Sequence, residues 1–198
     1  MLMDLILEAK IPTFSLQPLY QWSSGMLAPI YCDNRKIISN PTLRNIVSNR
    51  LANIISEKFS LADIICATST AAIPHAAWVA NIMELPLLYG RKSPKKYGLC
   101  KKIEGDSLMG TKCVIVDDVI TTGKSAYNVI TSLPQNLTPV GVVSILDYKL
   151  CQTPNYLKEN NIPYDSLIYF PDLLMHIKRW KYFTEEEILQ LEKWYANI

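Results

Sequence analysis

The sequence predicts an α/β protein in which a central, mainly parallel sheet is flanked by helices. Three observations support this. The apolar run Cys113-Val114-Ile115-Val116 leads directly into Asp117-Asp118 and a hydroxyl-rich turn, strand-like and helix-like patterns alternate along the chain, and 198 residues suffice for one substantial core but not two. A continuous run of β-favouring apolar residues suits a strand covered on both faces, because a sheet wetted on one face shows alternation instead.

The first clear element is a helix. Asn40-Pro41 supplies a cap followed by proline at the first helical position, and Leu43, Ile46, Val47, Leu51, Ile54 and Ile55 recur at helical spacing toward Phe59. A short strand at 63–67, a helix at 74–83 and a strand at 87–89 follow. The polar, basic stretch from Gly90 to Gly110 is long for a connection in a compact domain, which marks it as functional or mobile. Next come the acidic strand, a helix at 126–133 and a strand at 140–146. Thr184-Glu185-Glu186-Glu187 is a capping box that opens a helix to about Tyr195, with Ile188, Leu191 and Trp194 on one packing face.

Composition excludes several classes of protein. A net charge of +2 argues against general nucleic-acid binding, although Arg91, Lys92, Lys95, Lys96, Lys101 and Lys102 form a concentrated basic cluster. Cys32, Cys66, Cys100, Cys113 and Cys151 are odd in number and contain no C-x-x-C pair, so neither a disulfide framework nor a zinc site is expected. Residues 1–10 are too short and too charged for a signal peptide, and no apolar run approaches a membrane span. A cytoplasmic protein with reduced thiols, no membrane partner and no nucleic-acid partner is the expectation. His75 and His176 are isolated histidines, expected near a loop-to-helix junction and on a surface helix respectively, and neither is read as a nucleophile or metal ligand.

The chemistry concentrates between Asp117 and Ser125. Ligands of open α/β sheets bind beyond the carboxyl ends of the strands, where Asp117 and Asp118 fall. Two adjacent carboxylates need hydroxyl donors, a metal or a cation, and a ribose diol presents two donors side by side. Thr121, Thr122, Gly123 and Ser125 then form a turn into a helix, a setting that favours phosphate. Gly123-Lys124-Ser125 also matches the end of the P-loop pattern, but the position of that pattern's first glycine holds Asp118, whose charge would oppose the phosphates.

This run resembles the phosphoribosyl pyrophosphate (PRPP) signature of type I phosphoribosyltransferases. Three further segments resemble orotate phosphoribosyltransferases in the same order: residues 24–35 (SGMLAPIYCDNR) their substrate segment, residues 67–77 their pyrophosphate loop and following helix, and residues 91–98 with Ile103-Glu104-Gly105 their mobile catalytic loop. The resemblance implies the type I phosphoribosyltransferase fold as a single domain over 1–198, with a small N-terminal hood at about 1–40 and a mobile catalytic loop at about 90–110. It also implies transfer of phosphoribose from PRPP to orotate with magnesium, in a homodimer whose catalytic loop serves the neighbouring subunit. Arg91, Lys92, Lys95, Asp117 and Asp118 are then catalytic. PRPP is bound by Thr68, Ser69, Thr70, Ala71 and Ala72, by Arg91, Lys92, Lys95 and Tyr97, and by Asp117, Asp118, Val119, Ile120, Thr121, Thr122, Gly123, Lys124 and Ser125. Ser24, Gly25, Tyr31 and Thr121 hold orotate, and no dedicated protein metal site is implied.

The chain departs from the family pattern at several positions. Ala67 and Ala72 stand where glycine is usual, so either the pyrophosphate loop avoids positive φ or it binds more weakly. Tyr97 stands in place of histidine, and Ala28 in place of serine. These departures keep open a PRPP-binding regulator with reduced transfer activity, and a transferase for another base. Tyr31 is either a stacking surface for the acceptor or a core aromatic.

Overall fold

The computed structural model describes residues 2–22, 24–91, 102–106 and 110–198. The N-terminal part comprises α1 (Leu2–Glu8), β1 (Pro12–Phe14), β2 (Tyr20–Gln21), β3 (Leu27–Ala28), β4 (Ile30–Cys32) and a 3-10 helix (Asn34–Ser39). The α/β body follows: α2 (Pro41–Lys58), β5 (Ile64–Thr68), α3 (Ala72–Met83), β6 (Leu87–Gly90), β7 (Ile103–Glu104), β8 (Lys112–Ile120), α4 (Lys124–Ile130), β9 (Thr138–Asp147), α5 (Tyr156–Glu159), β10 (Tyr164–Tyr169), α6 (Phe170–Trp180) and α7 (Glu185–Ala196).

Among the described residues, β10-β9-β8-β5-β6-β7 form a sheet in that order, parallel throughout except for the antiparallel edge pair β6-β7. The period-two geometry of strands explains the buried runs. Ile65, Ala67, Val114 and Val116 enter the core beneath α2, α3, α6 and α7, whereas Ile64, Cys66, Cys113 and Ile115 enter a second core beneath α4 and α5. At Gly141 of β9, an added Cβ would sit 2.1 Å from Phe59 Cε1, so glycine lets α2 pack directly on the sheet.

Locally encoded elements form where the sequence places them. The Asn40 side chain caps α2 by accepting from the Leu43 N–H at 3.1 Å, and the capping box of α7 is complete, with Thr184 and Glu187 exchanging hydrogen bonds. Ile188 and Leu191 are buried, as expected of the packing face. Other expectations are corrected. The helix expected at 74–83 begins at Ala72, and the one expected at 126–133 runs from Lys124 to Ile130. The stretch from Gly90 to Gly110 is not all loop: β7 pairs with β6, and Arg91 N–H donates to Lys102 O at 2.8 Å. Its residues 92–101 and 107–109 lie outside the described residues, including Lys92, Lys95, Lys96, Tyr97 and Cys100. His176 does lie on a surface helix, α6, but on its inward face. It is buried on α6, with Nε2 2.6 Å from Asp4 Oδ1, and ties α1 to the body.

The N-terminal strands pack as two antiparallel pairs, β1 with β4 and β2 with β3. Trp22 anchors them: its indole donates to Ile30 O at 3.1 Å and its ring lies 4.3 Å from Tyr148, just beyond β9. Asn34 is buried and donates to Asp118 O at 2.7 Å, joining this layer to the end of β8.

Candidate active site

The strand ends, the N-terminal layer and the turn before α4 enclose a cleft of about 1040 Å³. Its floor is the end of β8. This strand runs through Ile120 rather than stopping at Val116, because it stays paired with β9 as far as Asp147; the two aspartates therefore sit on strand backbone inside the sheet edge. Side-chain alternation starts them on opposite faces of β8, although their carboxyl groups still meet at the strand end. Asp117 shares its face with Cys113 and Ile115 and turns toward α4, whereas Asp118 shares its face with Val114 and Val116 and turns toward the N-terminal layer.

Asp117 is saturated. Its Oδ1 accepts from Thr68 Oγ1 at 2.6 Å and from the Asp118 N–H at 2.9 Å, and its Oδ2 accepts from Ser125 Oγ. One carboxylate thus pins the end of β5, the end of β8 and the start of α4 in a single arrangement. Burial raises its pKa, and these three donors oppose that rise. Among the described residues Asp118 has no comparable set of donors, and its carboxyl meets that of Asp117. Burial and the neighbouring Asp117 charge hold its pKa well above the carboxylate range. An acceptor that is poorly solvated and beside a like charge gains most from a ligand bringing hydroxyl donors or a cation.

The turn between β8 and α4 is shaped by Gly123. Its φ of +70° and a Leu157 side chain 2.7 Å from where a Cβ would lie both exclude other residues. Gly123, at the N-cap, has no side chain to cap α4, and the Lys124 N–H donates only a long bond to Thr122 Oγ1 at 3.4 Å, so the first turn keeps donors for a ligand. Across the cleft, the segment 67–72 answers the question raised by the alanines. Ala67 lies in β5 and Ala72 begins α3, both fully buried, and no residue of the segment has positive φ. Alanine is therefore compatible with the backbone adopted here.

Most of the sequence-derived site residues converge. Thr68, Ser69, Thr70 and Ala71 line the cleft from the end of β5; Asp117, Asp118, Val119, Thr121, Thr122, Lys124 and Ser125 from the end of β8 and its turn; Arg91 from the end of β6; and Ser24 and Tyr31 from the N-terminal layer. Ala72, Ile120, Gly123 and Gly25 do not line the cleft, and Ile120 instead packs in the core beneath α4. Tyr31 shows both of its anticipated aspects: it is half-buried against Tyr20, with ring centroids 5.7 Å apart, and it lines the cleft. Arg91 pairs with Glu104 at 3.2 Å. His75 is buried on α3 with its pKa pushed down to about 4 by desolvation, which keeps the ring neutral. Cys32, Cys66 and Cys113 are buried free thiols, and burial pushes the Cys32 thiol up to about 12, so it is inert.

Sequence reasoning missed Trp22, Asp33, Arg35, Lys102 and Tyr148, all of which line the cleft. Arg35 lies within the substrate-like segment, and that position was the only available signal. Tyr148 and Trp22 become neighbours only through the tertiary fold.

A parallel sheet carrying an acidic pair, a hydroxyl-rich turn and an opposed small-residue loop at its strand ends, under an N-terminal cover, defines a type I phosphoribosyltransferase. An orotate phosphoribosyltransferase from Listeria innocua is 34% identical over 193 residues, covering 97% of this chain and 92% of that protein. No family model matches the chain. Two solved structures share the fold: a UMP synthase from Leishmania donovani (TM-score 0.84, 22% identity, 100% of this chain and 42% of that one) and an orotate phosphoribosyltransferase from Aeropyrum pernix (TM-score 0.76, 22% identity, 90% and 99%). The chain belongs to the orotate phosphoribosyltransferase family.

Proposed function

We propose that residues 1–198, acting as one domain, transfer the phosphoribosyl group of PRPP to orotate, giving orotidine 5′-monophosphate and pyrophosphate for pyrimidine synthesis. The observation that supports this reading is the asymmetry of the acidic pair: Asp117 locks three elements together, while Asp118 lines the cleft with a pKa raised by burial and a like charge, which suits it to meet the ligand. In the reaction the bond from the anomeric carbon to pyrophosphate breaks as N1 of orotate bonds to that carbon. Positive charge develops on the ribose and negative charge on the leaving group. Asp118 accepts from the ribose hydroxyls, and its carboxylate opposes the positive charge on the sugar. The turn from Thr121 to Ser125 takes the 5′-phosphate, and Ser69, Thr70 and Ala71 take the pyrophosphate. Arg91 and Lys102 stand beside that loop, and Lys92, Lys95 and Tyr97 are assigned to the same end by the resemblance alone.

Magnesium fits the donors present. Among the described residues no three His, Cys, Asp or Glu side chains form a metal cluster. Magnesium is commonly held by one or two carboxylates together with substrate phosphates and water, and Asp118 supplies such a carboxylate. When bound, the ion neutralises charge on the leaving pyrophosphate.

Among the described residues no helix is long and apolar enough to cross a membrane. We place the enzyme in the cytoplasm. With PRPP and magnesium present, the protein should consume orotate, read as loss of its ultraviolet absorbance matched by pyrophosphate release. Tight PRPP binding without orotate consumption would favour the regulatory alternative instead.

The same reading includes a homodimer in which the basic loop serves the partner's site. Mixing the impaired Lys95→Ala and Asp118→Asn proteins should then raise activity above that of either parent, because a mixed dimer contains one site with both defects and one with neither. Random exchange gives recovery of about a quarter of wild type for a two-fold dimer. Exchange confirmed with two tags but without recovery would confine the loop to its own subunit.

A further inference from the structure

We infer that Arg35 reads the carboxylate of the orotate acceptor and thereby selects orotate over pyrimidines that lack this group. The inference rests on the reading of the chain as an orotate transferase and adds the residue that fixes its acceptor. Orotate carries its carboxylate at C6, beside the N1 atom that bonds to the sugar. A cation that recognises it must therefore stand where the base-binding wall meets the ribose site. An unpaired carboxylate taken from water into a protein cleft is costly, and a guanidinium is the side chain best matched to it.

The described cations lining the cleft are Arg35, Arg91, Lys102 and Lys124, and the sheet order separates them. Arg91 and Lys102 are joined by their backbone bond where β6 meets β7, at the edge of the sheet beyond β5. Lys124 opens α4 on the opposite flank of the acidic pair. Arg35 alone comes from the N-terminal layer, which also contributes Trp22 and Tyr31 to the base-binding wall, and it feels the charge of Asp118.

The local geometry prepares Arg35 for this task. Its Nε lies 2.5 Å from Asp33 Oδ1, and its Nη2 lies 3.5 Å from Tyr31 Oη. A guanidinium has five N–H donors, so anchoring at Nε leaves the Nη edge for a two-point carboxylate contact. The side chain is 58% exposed, so its charge is not already spent in a buried pair. Asp33, which also accepts from the Arg35 backbone N–H at 3.3 Å, holds the fork in place and acts as a positioning residue.

The test compares wild type, Arg35→Gln, Arg35→Lys and Asp33→Asn in steady-state assays with PRPP and magnesium, using orotate and uracil as acceptors. Loss of a charge-assisted contact should raise the KM for orotate about ten- to a hundredfold in Arg35→Gln, with the KM for PRPP within about twofold of wild type. Arg35→Lys should recover part of the loss, Asp33→Asn should shift the orotate KM in the same direction by less, and the preference for orotate over uracil should shrink in Arg35→Gln. Thermal midpoints close to wild type are expected, because the residue is mostly exposed. An unchanged orotate KM in Arg35→Gln overturns the inference, as does a raised PRPP KM with orotate unaffected, which would assign the charge to Asp118 instead. Wild-type protein that turns over PRPP with another base but not with orotate would overturn the function reading and this inference with it. Wild type active on orotate with a silent Arg35→Gln would overturn this inference alone.

Discussion

Replacing Asp118 by asparagine should lower kcat/KM for PRPP about ten- to a hundredfold and at the same time raise the thermal midpoint of the free protein. The loss of activity follows, on the function proposed above, from removing the charged acceptor assigned to the ribose hydroxyls. The gain in stability follows from the raised pKa of this carboxyl. A folded-state pKa above the unfolded value means that the group favours folding while protonated and loses that contribution as pH rises through its raised pKa. Asparagine mimics the protonated form at every pH. The difference in midpoint should therefore be small in the ordinary carboxylate range, grow as pH rises, and level off once Asp118 is ionised in the native protein. Denaturation of both proteins across this pH range checks the sign, and a midpoint that falls in the variant at neutral pH would contradict the placement of Asp118.

Asp117→Ala should also abolish most activity, but with the opposite effect on stability. Its carboxylate gathers the Thr68 hydroxyl, the Ser125 hydroxyl and the Asp118 N–H, and alanine leaves all three without this acceptor. Each orphaned buried group costs about 1–3 kcal/mol, and relief from burying the charge offsets part of the sum. A net loss of about 2 kcal/mol is expected, or about 4–8 °C in midpoint for a chain of this size. Asp117→Asn keeps an acceptor for Thr68 and the N–H, and its amide can donate to Ser125, so it should retain most of the stability. Calorimetry on the three variants separates the roles: Asp118→Asn above wild type, Asp117→Asn near it and Asp117→Ala below it. Equal midpoints for Asp117→Ala and Asp118→Asn would refute the division of labour.

The two aspartates also show how far the sequence can be read. Their identity, their place at a strand end and the turn that follows are local facts, and so are Asn40-Pro41 before α2 and the Thr184–Glu187 box before α7. That one aspartate braces while its neighbour is left to the cleft is not local. It depends on Thr68, 49 residues away, and on β8 continuing past Val116 because β9 pairs with it. The strand β10 and the helix α6 went unassigned for the same reason. Tyr164–Tyr169 is fixed as a strand by its partner β9, and the helix after it hides a histidine against Asp4 from the far end of the chain. Arg35 carried no signal as a residue type, since an exposed arginine is usually only a solvated charge. Its meaning comes from the aromatic and acidic neighbours that the fold brings to it.

The wall behind the acceptor has a bearing on how the enzyme is made. Trp22 packs at a tilt against Tyr148 and meets Trp194 edge-on with centroids 5.6 Å apart, while the Trp194 indole donates to Leu27 O at 3.2 Å and the Tyr195 hydroxyl to Tyr148 O at 3.0 Å. The parts assigned to PRPP are encoded between Thr68 and Ser125, in the middle of the chain. The wall assigned to the base draws on positions 22 and 148, with Trp194 packed behind Trp22, so its last support leaves the ribosome some 70 residues after the PRPP turn is complete. During synthesis, the half of the cleft assigned to the activated sugar can thus take shape before the half assigned to the base, and α7 is the element that braces the second half.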